Sequence, residues 1–462
     1  MTTVRKFIAN KVFCIGIGGI GVSGLAELLY RQGVHISGSD VSRNAQTQHL
    51  QSLGITVFDN HKADNIEDAE LVVYSSAIKS DNPERVAATQ KNIPLITRGQ
   101  LLAEVMKSYC GINVAGTHGK TTTSGLIAWI FEQAKQDPTF MIGGVLRDRQ
   151  SPMQLGQSAF FIAESDESDA SFLYLSPTVG VITNIDEDHM ETYEYDFNRL
   201  KQSFLQFTNN ISTEGFAVVC VDDPVVRELI PSMLCRVITY GASESADYQL
   251  ENFQPAGLRS EFTVKTPRGQ FIKIQLNLAG KHNALNALAA MVIAHEYHLP
   301  EMAIQNALRT FPGMGRRMHP HGEMAVAGGC ALLFDDYGHH PAEIKATWIA
   351  AKSAFPDRRI VLVFQPHRYS RTRDLLSEFV AILKTVDQLV LTEVYAASEH
   401  PIPGADGQAL FKAIKKAGVK NAYFVRELSH LPVTLHAILK PNDIVILQGA
   451  GNIVTMAEVL MV

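Results

Sequence analysis

Cysteine is sparse and unpatterned in this chain. Its five cysteines, Cys14, Cys110, Cys220, Cys235 and Cys330, are odd in number, widely scattered and without a C-x-x-C pair, which excludes a disulfide framework or a cysteine zinc site as the organising device. Long apolar runs are missing: nothing approaches the roughly 18 residues a spanning helix needs, and the opening Met-Thr-Thr-Val-Arg-Lys-Phe has no apolar signal core. The expectation is a cytoplasmic protein with no membrane role. Basic runs are missing too, and the formal net charge is −6, so the clustered cations of a nucleic-acid binder are not there. Neither a short-period repeat nor a low-complexity segment appears.

What is present is an ordinary globular balance, 46% hydrophobic and 19% charged over 462 residues, long enough for two or three domains. Short β-branched runs alternate with amphipathic stretches from Lys11 onward: strands over 11–15, 34–38 and 71–74, with a helix over 21–32. That alternation predicts a parallel sheet. A second block restarts with a strand over 112–115, a glycine-rich turn over 116–119 and a helix over 121–134. It continues with strands over 160–163 and 179–183 and a helix over 283–295. Phe311-Pro-Gly-Met-Gly-Arg-Arg317 reads as a linker. A third block has strands over 331–334, 360–364, 388–391 and 443–447. The expected fold class is α/β in three domains: a Rossmann-like one (1–107), a central P-loop-type mononucleotide-binding one (108–312) and a second Rossmann-like one (313–462).

Gly16-x-Gly18-x-x-Gly21 follows a strand and opens a helix, with Asp40 ending the next strand. Such glycines let the backbone approach a pyrophosphate at a helix N-terminus, and the acid suits a ribose or base donor. A tight turn without ligand is the bland alternative, and the motif does not separate NAD from a UDP-sugar. Gly116-Thr-His-Gly119-Lys120-Thr121-Thr-Thr resembles a P-loop shortened to two residues between its glycines, with Val114 where the first glycine would stand. Backbone amides can still cradle phosphate, Lys120 can neutralise it and Thr121 can ligate Mg²⁺. Glu164 ends a strand and opens an acidic segment, and His189 follows another strand, so both are candidate metal ligands beside a nucleotide, although a solvated turn and a surface histidine are the plain readings. In the third block, Asp335-Asp-Tyr-Gly-His339-His-Pro341 and Gln365-Pro-His367-Arg368-Tyr-Ser-Arg371 both sit at strand C-termini, where open α/β sheets bind ligands. Arg368 and Arg371 suit a carboxylate or phosphoryl group.

These motifs resemble those of the Mur ligases over nearly the whole chain. The likeness rests on Ile17-Gly-Gly-Ile-Gly-Val-Ser-Gly24, Gly116-Thr-His-Gly-Lys-Thr-Thr-Thr123, Glu164-Ser-Asp-Glu-Ser-Asp169 and His282-Asn-Ala-Leu-Asn286. It extends through Asp335-Asp-Tyr-Gly-His-His-Pro341, Phe364-Gln-Pro-His-Arg-Tyr369 and Pro401-Ile-Pro-Gly-Ala-Asp406. The last three resemble the branch that uses L-alanine. The resemblance implies ATP-dependent joining of L-alanine to the carboxylate of UDP-N-acetylmuramate, with Mg²⁺, or Mn²⁺ as the alternative, and a monomer or weak homodimer. It implies that Gly116, Thr117, His118, Gly119, Lys120, Thr121 and Thr122 bind ATP, with Asn283 and Asn286 at the adenine. Thr121, Glu164 and His189 are implied as metal ligands. Gly18, Gly19, Gly21, Asp40, His61 and Ser75 are implied at the UDP part, and His339, His367, Arg368 and Arg371 at the reacting carboxylate and the alanine. Ser165 departs from an expected alanine. Some members carry a carbamylated lysine, and no counterpart is assigned here, Lys201 included. A sister ligase using a recycled tripeptide, an NAD-dependent oxidoreductase and a nucleotide-binding switch are the competing readings.

Overall fold

Each of the three blocks forms a sheet of its own. The computed structural model describes residues 9–75, 77–149 and 151–461. The first sheet is parallel throughout and runs, in spatial order, Thr56–Phe58, His35–Ser39, Lys11–Ile15, Leu71–Tyr74 and Leu95–Thr97. The strand Lys11–Ile15 explains its own burial: alternate side chains leave opposite faces, and both faces are covered. Val12 and Cys14 enter one apolar cluster with Val73, whereas Phe13 and Ile15 enter another with Val72. The first of these clusters also takes in Met141, Met153 and Phe161 of the second block, so the first two blocks share a core.

The second sheet is centred on Cys110–Ala115, flanked by Phe160–Glu164 on one side and Val179–Ile182 on the other, all parallel. Phe216–Cys220 and Arg236–Gly241 extend it, again parallel. Tyr248–Ala256, Arg259–Lys265 and Phe271–Leu276 follow at one edge, and Thr139–Met141 with Met153–Gln154 form the other. The helix Lys281–Glu296 is predicted by its small apolar residues, and Ala287 through Ala294 are buried without a break, as a helix hydrophobic all round must be.

The third sheet runs His319–Val326, Gly329–Asp336, Ile444–Gln448, Ile360–Phe364, Gln388–Thr392 and Ala422–Val425. Its face alternation repeats the pattern of the first: Leu362, Phe364 and Ile446 on one side, Val361, Val363 and Val445 on the other. Fully burying each such side chain contributes about 1.5–3 kcal/mol. One edge departs from the parallel expectation, because His319–Val326 pairs antiparallel with Gly329–Asp336. The segment read as a linker is not a solvated tether: Phe311, Gly313 and Met314 are buried. By compactness the chain forms two units, Met1–Glu251 with Thr263–Ile274 and Leu285–Phe311, and Asn252–Phe262 with Gln275–Ala284 and Pro312–Val462.

Candidate functional site

The strand Cys110–Ala115 delivers Gly116-Thr-His-Gly119, and the helix Lys120–Gln133 begins at the next residue. Gly119 lies at φ 86°, and no side chain caps the helix. The open first-turn amides and the positive end of the helix dipole together suit an anion. Gly116 lies at φ 131°, and a Cβ there would stand 2.1 Å from Thr183 Oγ1; at Gly119 it would stand 2.7 Å from Asn286 Oδ1. Both positions therefore require glycine. The segment after Val179–Ile182 straps the loop in place. Thr183 Oγ1 and Asn184 Nδ2 donate to His118 O at 2.6 and 2.9 Å, and His118 N donates to Asn184 Oδ1 at 2.8 Å. Asp186 N donates to Thr117 Oγ1 at 2.8 Å, and His118 Nε2 lies 3.2 Å from Asp186 Oδ2.

Lys120 turns back over this loop and donates to Gly116 O at 2.6 Å, Thr117 O at 3.1 Å and Glu167 Oε1 at 2.7 Å. Burial favours the neutral amine, but Glu167 and Glu164 outweigh it and raise the Lys120 pKa, so the ammonium persists. Burial pushes the Glu167 carboxyl up to about 7 against the pull of Lys120. Its Oε2 is buried with no hydrogen-bond partner among the described residues. Beside it, Glu164 Oε2 accepts from Thr121 Oγ1 and from Gly143 N, both at 2.9 Å. A hydroxyl and a carboxylate in contact are hard donors, and this pair fits a divalent cation such as Mg²⁺.

The first glycine loop has the same logic. Gly19 opens the helix Ile20–Arg31 with no side-chain cap. Asp40 is committed to backbone, accepting from Gly18 N at 2.9 Å and Ser42 N at 2.8 Å, so it shapes the loop. His61 Nδ1 lies 2.8 Å from Glu84 Oε2 and 2.9 Å from Ser39 Oγ, which ties it into a buried polar cluster. Ser75 borders Gly16 and accepts weakly from Ala77 N at 3.4 Å. Arg98 runs along Gly21, and its Nη2 lies 3.7 Å from Asp166 Oδ2. One arginine therefore touches both the first loop and the acidic segment beside Lys120.

In the second unit, two turns follow strand ends of the third sheet. The His339 and His367 rings lie 5.4 Å apart, His367 stacks on Tyr395 at 5.7 Å, and Arg371 Nη1 lies 3.4 Å from His367 Nδ1. Arg368 stands at φ 70° as the N-cap of Tyr369–Asp374. A cation there opposes the helix dipole, and Glu399 offsets it by accepting from Ser370 N at 3.0 Å and Ser370 Oγ at 2.6 Å. Burial first, then His339 and the arginines, lower the His367 pKa to about 3, so the ring is neutral and the arginines carry the positive charge. Buried Asp336 shapes the turn before His339, accepting from Gly338 N at 2.8 Å and Met318 N at 3.0 Å.

The structure thus joins Lys120, Thr121 and Glu164, seats Asn286 against Gly119, and groups His339, His367 and Arg371. Asn283 lies one turn before Asn286 and donates to Ala279 O at 2.8 Å. Thr122 is buried in the helix. His189 caps a short helix at φ 53° with Asp188 Oδ2 3.6 Å from its Nε2. Lys201 is paired with Glu228 at 2.9 Å. Sequence reasoning singled out none of Glu167, Thr183, Asn184 and Arg98. The first lies inside the acidic motif and Asn184 heads the segment bearing His189, so motif membership could have raised both; nothing local marks Arg98.

Three family models match in succession: "Mur ligase family, catalytic domain" over 11–110, "Mur ligase middle domain" over 114–294 and "Mur ligase, glutamate ligase domain" over 316–451. A UDP-N-acetylmuramate–L-alanine ligase of Coxiella burnetii (strain RSA 493 / Nine Mile phase I) is 51% identical over 457 residues, covering 99% of this chain and 98% of that protein. The crystal structure of UDP-N-acetylmuramate–alanine ligase from Thermotoga maritima superposes with a TM-score of 0.81 at 28% identity, over 97% of this chain and 98% of that one. A murein peptide ligase from Psychrobacter arcticus shares the fold at a TM-score of 0.72 and 22% identity, over 97% and 98% of the two chains.

Proposed function

Because the chain belongs to the Mur ligase family, we infer that its reaction joins the amino group of L-alanine to the carboxylate of UDP-N-acetylmuramate with consumption of ATP. It is an amide-bond ligase of peptidoglycan precursor synthesis. The observation that carries this reading is the 51% identity, nearly end to end, with a ligase of that substrate pair.

A free carboxylate is a poor electrophile, so the route first phosphorylates it and then admits the alanine amine to the acyl phosphate, releasing ADP and phosphate. The amides at Gly116 through Thr122 bind ATP phosphates, and Lys120 exchanges its bonds to Gly116 O and Thr117 O for phosphate oxygens while Glu167 keeps it charged. Asn283 and Asn286 take the adenine. Thr121 and Glu164 would hold Mg²⁺ or Mn²⁺, and His189 a second metal ion; such ions when bound offset charge on the transferring phosphoryl group. Gly18, Gly19 and Gly21 receive the pyrophosphate of the UDP-sugar, with Asp40, His61 and Ser75 bordering its nucleoside. Arg368 and Arg371 grip the alanine carboxylate as planar forks, neutral His367 orients it, and His339 faces the muramate carboxylate. These roles divide the chain at 1–107, 108–312 and 313–462, and they suit a cytoplasmic enzyme.

Phosphate release with Mg-ATP and UDP-N-acetylmuramate, with and without L-alanine and beside a tripeptide arm, tests the reading. Release that requires both UDP-N-acetylmuramate and L-alanine is expected. Release only with the tripeptide would reassign the substrate, and none with any combination would reject ligase chemistry.

A further inference from the structure

A cavity of about 470 Å³ opens in the first unit and is assigned no part in the reaction above. Its floor includes Arg236, the first residue of the strand Arg236–Gly241, and the parallel register places Arg236 beside Phe216, Phe216 beside Val179 and Val179 beside Ile112. The phosphate loop leaves the other end of those strands, after Ala115. The cavity is therefore at the opposite sheet edge from the nucleotide loop, walled by Tyr248, by Arg268 on the turn before Phe271, and by the ends of two consecutive helices at His295, Glu296 and Glu301.

Some of these groups already satisfy one another. Arg236 Nη1 pairs with Glu296 Oε2 at 2.7 Å, and Asp247 Oδ2 accepts from Thr239 N at 2.8 Å and from its hydroxyl at 2.7 Å. Three do not. Tyr248 is 6% exposed, yet its hydroxyl makes no hydrogen bond among the described residues. Burial, and Glu296 after it, push that phenol up to about 12, so it stays a donor. Arg268 makes no hydrogen bond or ion pair among the described residues. Glu301 gives Oε2 to His295 Nε2 at 2.9 Å, while its Oε1 is buried with no hydrogen-bond partner. Arg268 is exposed, whereas Glu301 Oε1 is buried, and buried polar atoms are seldom left so. A guanidinium and a phenol donor ask for an anion, and a carboxylate oxygen asks for a cationic donor, within one cavity of small-molecule size, which spans about 300–1,000 Å³.

We propose that this cavity binds a small zwitterion, a short peptide with free termini, whose carboxylate meets Arg268 and Tyr248 and whose ammonium meets Glu301. None of the cavity's lining residues has a part in the proposed reaction, and it opens at the sheet edge opposite the nucleotide loop.

Calorimetric titration of the full-length protein with triglycine, and with triglycine acetylated at its amine and amidated at its carboxylate, tests this. Triglycine is expected to bind, with the capped peptide at least about tenfold weaker. Arg268→Ala and Tyr248→Phe should each weaken triglycine about tenfold or more with kcat of the ligase reaction unchanged, and His367→Asn should leave the titration as it was. Equal binding of the capped peptide, triglycine binding that survives both cavity substitutions, loss of binding in His367→Asn, or no binding at millimolar peptide would overturn the proposal. Ligase turnover is measured separately, so a failure here is distinct from a failure of the reaction assignment.

Discussion

Lys120 directs its three donors at two carbonyls of its own loop and at Glu167. Lys120→Met is therefore expected to lower kcat/KM by about 10²–10³-fold, the scale for removing a positioned charge at a reacting group; steady-state phosphate release checks it, and a loss under about threefold would remove Lys120 from the transfer step. Arg371 is 8% exposed and sits against His367. Arg371→Lys keeps the charge but not the fork, so KM for L-alanine should rise about tenfold while KM for ATP stays put. Equal changes in both would contradict its assignment to the amino acid. At this scale Lys120 and Thr121 stood out as candidates because a phosphate-loop pattern lies within a few consecutive residues, and Glu164 because it ends a strand and opens an acidic segment. Glu167 was hidden because its significance is a lost hydration shell, and Arg98 because Gly21 and Asp166, its two neighbours, belong to other segments.

Among the elements, the segment over 183–186 holds the loop over 116–119 by hydrogen bonds to Thr117 and His118. Asn184→Ala removes both side-chain bonds to His118 and is expected to raise KM for ATP about tenfold and to cost about 1–3 kcal/mol of stability, read by ATP titration and thermal unfolding; an unchanged KM with lowered stability would make the strap purely structural. Gly119→Ala adds a Cβ at φ 86° against Asn286. It should cost about 1–3 kcal/mol and weaken ATP more than UDP-N-acetylmuramate. Strands at 11–15, 71–74 and 360–364 were read where they stand, since a strand buried on both faces is an uninterrupted apolar run. Strands such as His319–Val326 and Arg259–Lys265 escaped notice because they lie toward sheet edges and carry exposed polar residues, so their pattern resembles a loop.

For the whole molecule, the clearest pH dependence follows from His367. Its folded pKa is about 3 against an ordinary 6.5, so between those values the unfolded chain binds a proton that the folded chain refuses. Stability from this group is complete above pH 6.5 and is lost as the pH falls toward 3. His367→Asn should flatten the acid limb of Tm measured from pH 7 to 4; an unaltered limb would mean that other groups govern it. By itself the sequence determined the α/β class, the three successive sheets and the nucleotide-loop motifs, because alternation and glycine spacing act over a few neighbouring residues. Only the tertiary structure decided which polar groups are spent on one another: Asp40 on Gly18, 22 positions away, His61 on Glu84, 23 away, and Lys120 on Glu167, 47 away. Those choices rest on burial and on distances of a few ångströms between segments far apart along the chain, and no local pattern encodes them.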